Sequence, residues 1–452
     1  MALNNENANF GIGNELDLFI TPPLNTSVKR HFISKVYPLN SVKEGGPIEF
    51  VITSNKENFI DLNETYISLT CSIKKSDGSN PPLPDTGETT APNESQVVPV
   101  NFFIGALFKD VELYLGGKMI SSSNNLYPYK SYLEFMMNYS EDTKKEIGGC
   151  GMYWKMSGED EYEETDVHTT KEAHSLKKRW DITKHGKTFE LFGRLHHDLF
   201  QQQRLFPGDL ALRIKLIRND TKFCLMSKDP DSSYKIIIEE AKLNVKRKEV
   251  SLNYLRDLEK QRSQGEFVRY PYKHVVMKYS NQSPHITNLS EHRLISNSPR
   301  PDRIVIGLVH ADAFNGSLNK NPFYFNNYGV EHIHLTTGLL DMPYEEMKLD
   351  YSNNLFREAY IALLHNTSRL FKNSSIGIDP SEFAEGLALY CFDLTKTGVD
   401  DKTFELTEND TIHVDIKLKK ALDHALVIVF YMEFSQMLAL GPSNDINLSS
   451  SI

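Results

Sequence analysis

The feature that most constrains this chain is an internal repeat. In the first half, Asn101-Phe102-Phe103 precedes Val111-Glu112, an alternating stretch and the pair Gly116-Gly117. In the second half, Asn321-Pro322-Phe323 precedes Val330-Glu331, an alternating stretch and Thr336-Thr337-Gly338. Each half then carries one segment with helical spacing, Tyr127–Tyr139 and Ser352–His365. Each finally reaches a strand with the same centre, Ile214-Lys215-Leu216 and Ile416-Lys417-Leu418. Five features in one order, twice, imply two copies of one unit, each of roughly 180–230 residues.

The unit is β. In Thr65–Ile73, Ile67, Leu69, Cys71 and Ile73 share one face, with Ser68, Thr70 and Ser72 on the other, the period-2 pattern of a half-buried strand. Leu210, Leu212, Ile214 and Leu216 do the same. Val111–Leu115 alternates into Gly116-Gly117, a two-residue turn that tolerates positive φ. Tyr234–Val245, Arg303–Val309, Val330–Thr336, Leu387–Phe392 and Thr411–Leu418 also predict strands. Ala425–Phe434 is apolar on both parities apart from Glu433, which predicts a central strand covered on both faces. One helix per half is too few for repeated βαβ crossovers. An all-β fold of two jelly-roll sandwiches is the expectation.

The spacing also divides the chain. Residues 1–30 predict an N-terminal arm, Asn-rich and then sticky at Leu16-Asp17-Leu18-Phe19-Ile20, before Pro22-Pro23. Such an arm docks on a neighbour or lies on its own domain. Residues 31–250 form the first unit, with loop insertions at 76–96 and 140–187. The first insertion is rich in Pro, Asp, Gly and Thr. The second carries Glu159-Asp160-Glu161-Tyr162-Glu163-Glu164 and Lys177-Lys178-Arg179, and is expected to face solvent. Leu252, Leu255 and Leu258 make 251–264 a helical linker. Residues 265–440 form the second unit and 441–452 a C-terminal tail.

Charge and composition narrow the function. Lys plus Arg number 50 against 60 Asp plus Glu, a net charge of −10, which argues against a surface built to neutralise phosphates. No apolar run approaches the ~20 residues of a membrane span, and Met1–Phe10 has no signal-peptide core. The expectation is synthesis in the cytosol. The four cysteines form no CxxC pair, so neither a zinc ribbon nor a disulfide framework is predicted. Cys71 and Cys391 lie in strand patterns and read as buried thiols.

No motif that carries chemistry stands out in the sequence. Gly116-Gly117-Lys118 lacks P-loop spacing, and no GxSxG elbow occurs. His196 and His197 are adjacent, so on a strand they point to opposite faces. His332 and His334 share a face, but two ligands are too few for a metal. The acidic run 159–164 lacks the alternating Asp/Asn and Gly of a calcium loop. Glu345-Glu346 is a pair common on any acidic surface. Glu112 and Glu331 hold equivalent positions in the two halves, a mark of shared architecture rather than the facing carboxylates of a glycosidase. No catalytic, cofactor-binding or metal-binding residue is assigned, and no cofactor. Two similar β units without catalytic signatures predict a structural role. The alternative is a jelly-roll carbohydrate-binding or attachment protein, which would cluster surface aromatics at one end of a barrel.

Several segments then carry a resemblance. They are Glu15–Phe19 with Pro22-Pro23, Gly46-Pro47-Ile48-Glu49-Phe50, Tyr66-Ile67, and Leu205-Phe206-Pro207-Gly208 leading into Arg213–Ile217. In the second half they are Pro301–Val309, Ala313-Phe314-Asn315-Gly316-Ser317, Asn321-Pro322-Phe323 and Tyr390–Thr395. Over nearly its whole length the chain resembles the double jelly-roll major capsid proteins of Polinton (Maverick) elements and adintoviruses. These are relatives of virophage, adenovirus and large DNA-virus capsid proteins. The resemblance implies two tandem eight-stranded jelly-roll β-sandwiches with a few short helices. It implies a homotrimer of pseudo-hexagonal outline that tiles an icosahedral shell around double-stranded DNA in the virion. The implied partners are other copies of the chain, penton and minor capsid proteins, with no sequence-specific nucleic acid and no membrane span. The arm would lie inside and link neighbours, and the loops 76–96 and 140–187 would face outward or other subunits.

Overall fold

Sixteen strands of the computed structural model fall into two sets of eight. The structure describes residues 24–53, 55–82, 96–156, 159–168, 174–229, 233–338, 341–396, 398, 408–442 and 445–449. Most of the arm (1–23) and of the loop 76–96 (83–95) lie outside the described residues. The first set is β1 (Val28–Val36), β2 (Ile48–Ile52), β3 (Asn58–Lys75), β4 (Phe108–Leu115), β5 (Lys118–Ser121), β6 (Phe189–Arg194), β7 (Leu212–Arg218) and β8 (Tyr234–Val250). The second is β9 (Val268–Gln282), β10 (Asn288–Pro299), β11 (Arg303–His310), β12 (Val330–Thr337), β13 (Asp341–Lys348), β14 (Leu389–Asp393), β15 (Asn409–Leu418) and β16 (Leu426–Leu440).

The first set forms two four-stranded sheets, ordered β1-β8-β3-β6 and β2-β7-β4-β5. The second forms β9-β16-β11-β14 and β10-β15-β12-β13. Raising every label of the first set by eight reproduces the second, so the sequence repeat is a repeat of topology. Sequence-distant strands alternate as antiparallel neighbours in every sheet, the weave of a jelly roll. The fold is two tandem eight-stranded jelly-roll sandwiches.

Register explains the repeated strand centre. Ile214 stands opposite Phe50 on one side and Leu113 on the other. Ile416 stands opposite Leu289 and Ile333. Both isoleucines are fully buried between the sheets, at 0 % and 2 % exposure. The lysine after each points outward. Lys215 meets Glu112 at 3.2 Å and Lys417 meets Glu331 at 3.0 Å, one ion pair in both sandwiches. Between β4 and β5, Gly116 and Gly117 take φ values of 54° and 85°, the left-handed pair that a tight hairpin needs. On β16, every residue from Leu426 to Glu433 is buried, as both-parity apolarity requires. Cys71, Cys224 and Cys391 are buried free thiols and Cys150 is exposed. Burial pushes the Cys71 and Cys391 thiols up to about 12.

The helices include α1 (Tyr127–Asn138), α2 (Glu141–Ile147), α3 (His174–Thr183), α4 (Leu252–Ser263) and α5 (Arg357–Asn366). Helix α4 begins at Ser251, whose hydroxyl caps the Tyr254 amide at 3.4 Å, and buries no residue completely. Helix α5 starts later than the spacing over Ser352–His365 predicts. A backbone bridge from Asp350 to Leu355 and left-handed Asn354 close a tight turn first. No helix among the described residues is long and apolar enough to cross a membrane.

Two expectations need correction. The insertion 140–187 is not a solvent-facing loop. It holds α2, α3 and a short helical turn at Glu159–Glu163, and it buries Tyr153, Met156, Tyr162 and Trp180. Its charge blocks conceal widely spaced aromatics that find apolar partners. The segment 441–452 is not simply a tail either. Ile446–Ser449 pairs with β16 beyond the end of β11, because backbone groups there would otherwise lack partners.

Candidate functional site

The densest set of specific side-chain contacts lies in the seam that fixes one sandwich against the other. Helix α1 lies at its centre. Tyr127–Met137 are all buried: Tyr129, Tyr132, Leu133, Phe135, Met136 and Met137 pack as apolar side chains, and the polar face of Lys130 and Glu134 finds its partners inside the protein. The repeated Asn-x-Phe segments flank it. From the first sandwich, Phe102 stacks on Phe135 at 4.5 Å. From the second, Phe323 stacks on Tyr132 at 4.4 Å with the rings 5° from parallel. Phe314 stacks on Tyr129 at 5.4 Å. Each such pair adds about 0.5–1.5 kcal/mol beyond the area it buries. The asparagines anchor these segments. Asn101 exchanges two hydrogen bonds with the Trp154 backbone, at 2.7 and 3.0 Å. Asn321 donates to the Tyr162 carbonyl and accepts from the Phe323 amide, both at 3.0 Å.

A buried ionic cluster ties this helix to both sandwiches. Lys130 Nζ donates to Asp198 Oδ1 at 2.5 Å, and Asp198 Oδ2 meets His274 Nδ1 of β9 at 2.7 Å. Glu134 accepts from Gln201 at 2.7 Å, meets His196 Nδ1 at 3.1 Å and lies 4.0 Å from Lys130. Burial opposes ionisation of Asp198, but Lys130 and His274 outweigh it and hold its carboxyl well below the usual range. Burial would likewise lower Lys130, and the Asp198 and Glu134 carboxylates reverse that. Burial pushes Glu134 up. His196 and His197 are not on a strand, since β6 ends at Arg194. Their rings still find different partners: His196 turns to Glu134, and His197 packs edge-on against Phe200 at 6.1 Å.

The buried imidazole of His197 is expected to make stability depend on pH. Burial pushes its imidazole from 6.5 down to about 3. Between those values the unfolded chain binds a proton that the folded chain refuses. The folded state therefore loses stability as pH falls from 6.5 towards 3. Replacing His197 with Gln is expected to flatten the melting temperature against pH across that window. An unchanged slope would show that the imidazole does not titrate this way.

The insertion 140–187 straps across the same seam. Lys144 Nζ donates to the carbonyls of Met136 and Ile376, both at 2.6 Å. Lys155 bonds the Gly377 carbonyl at 2.7 Å and meets Asp379 and Glu382 at 3.2 and 3.3 Å. Tyr162 stacks on Tyr324 at 5.2 Å, and Glu163 pairs with Lys320 at 3.0 Å. Gly386 leaves the space that the Tyr162 ring fills, for a Cβ there would lie 2.1 Å from the ring. A second buried pair, Arg303 with Glu433 at 2.5 Å, joins β11 to β16. Its carboxylate also accepts from Tyr431 at 2.7 Å.

The other candidates from the sequence stay apart. His332 and His334 stack at 6.0 Å on β12, Glu112 and Glu331 are the outward ion pairs described above, and the side chains of Glu345 and Glu346 lie outside the described residues. No group of three or more His, Cys, Asp or Glu among the described residues is placed to hold a metal. The seam itself carried one readable signal, the helical spacing over Tyr127–Tyr139. Its charged members gave none.

Comparison with known proteins places this architecture. No protein-family model matches the chain. An uncharacterised protein of Caenorhabditis elegans is 24 % identical over 411 residues, 89 % of this chain and 93 % of that protein. A chain in the cryo-EM structure of the Sputnik virophage superposes with a TM-score of 0.64 at 11 % identity, covering 99 % of this chain and 94 % of that one. The Faustovirus major capsid protein gives 0.55 at 9 % identity, over 93 % and 92 %. The mavirus major capsid protein gives 0.53 at 10 % identity, over 98 % and 95 %. The likeness is one of fold and spans both sandwiches.

Proposed function

We propose that this chain is a major capsid protein of the Polinton or adintovirus type, and that its role is structural rather than enzymatic. The observation that carries the reading is the repeated topology locked by a buried helix. Two like sandwiches, taken as domains over 31–250 and 265–440 with 251–264 as linker, make one rigid block. Three such blocks around a threefold axis present six similar barrels, a pseudo-hexagonal tile for an icosahedral shell around double-stranded DNA. The fold shared with the mavirus and Faustovirus major capsid proteins supports it. Penton and minor capsid proteins would complete the virion. A chain of net charge −10 leaves condensation of the DNA to other components.

The surface supports self-assembly. Near α5 of the second sandwich, Leu355 and Phe371 are 63 % and 97 % exposed. On the first, Ile33, Tyr37 and Leu39 are exposed on and just after the edge strand β1. Exposed apolar side chains on both sandwiches suit head-to-tail contact, which makes a ring where the rotation closes. Light scattering is expected to give a particle of about three times the 51.7 kDa chain mass. Changing Leu355 and Phe371 together to Asp is expected to convert trimer to monomer without lowering the monomer's melting temperature. Trimers that persist in that variant would place the contact elsewhere. A wild-type chain that stays monomeric would overturn the capsid reading.

A further inference from the structure

A cleft of about 460 Å³ opens where the chain enters β1. Ser27 and Val28 form part of its wall. Phe59 of the first sandwich, Leu258 of α4 and Val268 of the second give it an apolar floor, and Arg204, Arg262 and Arg269 bring three guanidinium groups to it. Arg262 meets Asp209 at 3.6 Å. Arg204 donates to the Arg269 carbonyl at 2.5 Å. Neither Arg204 nor Arg269 meets a carboxylate among the described residues. In a chain of net charge −10, this cleft is a local positive site with an apolar bottom.

One segment of the chain matches it. In Glu15-Leu16-Asp17-Leu18-Phe19-Ile20, extended backbone puts Leu16, Leu18 and Ile20 on one face and both carboxylates on the other. Isolated phosphate would use the arginines but not the floor. The residues between Ile20 and Ser27 reach about 20 Å, enough to turn at Pro22-Pro23 and come back to the lip from which the arm starts. We propose that Glu15–Ile20 of the chain's own arm seats in this cleft. Its aliphatic face lies on Phe59, Leu258 and Val268, and Glu15 and Asp17 pair with the guanidinium groups. Seated there, the arm clasps the first sandwich, α4 and the second sandwich together. The proposal goes beyond the shell-forming role and does not depend on it. It places the arm on its own subunit, where the resemblance implies a link to a neighbour.

The test uses the full chain with Cys150→Ser, Leu18→Cys and Leu258→Cys under mild oxidation. The expected result is a disulfide within one chain that forms even at high dilution. Arg204→Glu with Arg269→Glu is expected to slow it by about tenfold, the equivalent of 1.4 kcal/mol. Adding Glu15→Lys and Asp17→Lys is expected to restore the rate, which separates lost docking from lost folding. A rate indifferent to the charge reversal, or a disulfide found only between two chains, would overturn the proposal. So would a short DNA duplex that binds through Arg204 and Arg269 while the disulfide rate ignores them, which would assign the cleft to nucleic acid.

Discussion

Replacing Lys130 with Met is expected to cost about 3–5 kcal/mol and to split unfolding into two transitions. Methionine fills nearly the same space, so the loss is one of charge. Asp198 and Glu134 remain in a site where Lys130 and Asp198 are at most 1 % exposed. The Asp198–His274 bond crosses from the first sandwich to β9 of the second. Once Asp198 favours its protonated form, that crossing weakens, and two sandwiches that each hold a core no longer unfold together. Urea denaturation followed by circular dichroism reads this directly. Adding Asp198→Asn and Glu134→Gln is expected to recover much of the loss, because removing the stranded charges costs less than leaving one. A single transition of wild-type midpoint in Lys130→Met would mean that the cluster does not hold the seam.

Changing Ile416 to Asp is expected to abolish soluble protein, and Ile214→Asp to do the same. Each residue sits between two sheets, with apolar neighbours on both flanking strands. A carboxylate there has no partner, and its desolvation costs several kcal/mol on top of the lost packing. The control lies one residue along the same strand. Lys417→Gln removes only an outward ion pair with Glu331, about half exposed at both ends, and is expected to shift stability by no more than ~0.5 kcal/mol. Wild-type melting in either Asp variant would contradict the assignment of faces. Equal losses in the two sandwiches would express the repeat in energetic terms.

Much of this fold was legible because alternation and order survive in a single sequence. Ile214-Lys215 and Ile416-Lys417 mark one strand position in both sandwiches, and Glu112 and Glu331 supply the carboxylate that pairs with its lysine, Glu331 from one residue off register. The linker helix showed in the spacing of Leu252, Leu255 and Leu258. The seam was harder to see. Lys130 and Glu134 stand four apart on a helix, a spacing that on most helices is a solvated ion pair. Only the aromatics around them argue for burial. Asp198 and His274 are far apart in the chain, and no periodicity connects them. The insertion 140–187 misled for a related reason. Its charge blocks dominate the composition, while the contacts that bury it come from single residues such as Lys144, Lys155 and Tyr162. Asn321-Pro322-Phe323 stood out as a repeated segment, yet its use, stacking Phe323 on α1, appears only in three dimensions.

The most direct measurement is electron microscopy of the purified full-length chain in negative stain. The capsid account predicts trimers of hexagonal outline that join edge to edge into sheets or closed shells as concentration rises. A field of single two-lobed particles, unchanged at high concentration, would contradict it and leave two jelly rolls in need of another purpose.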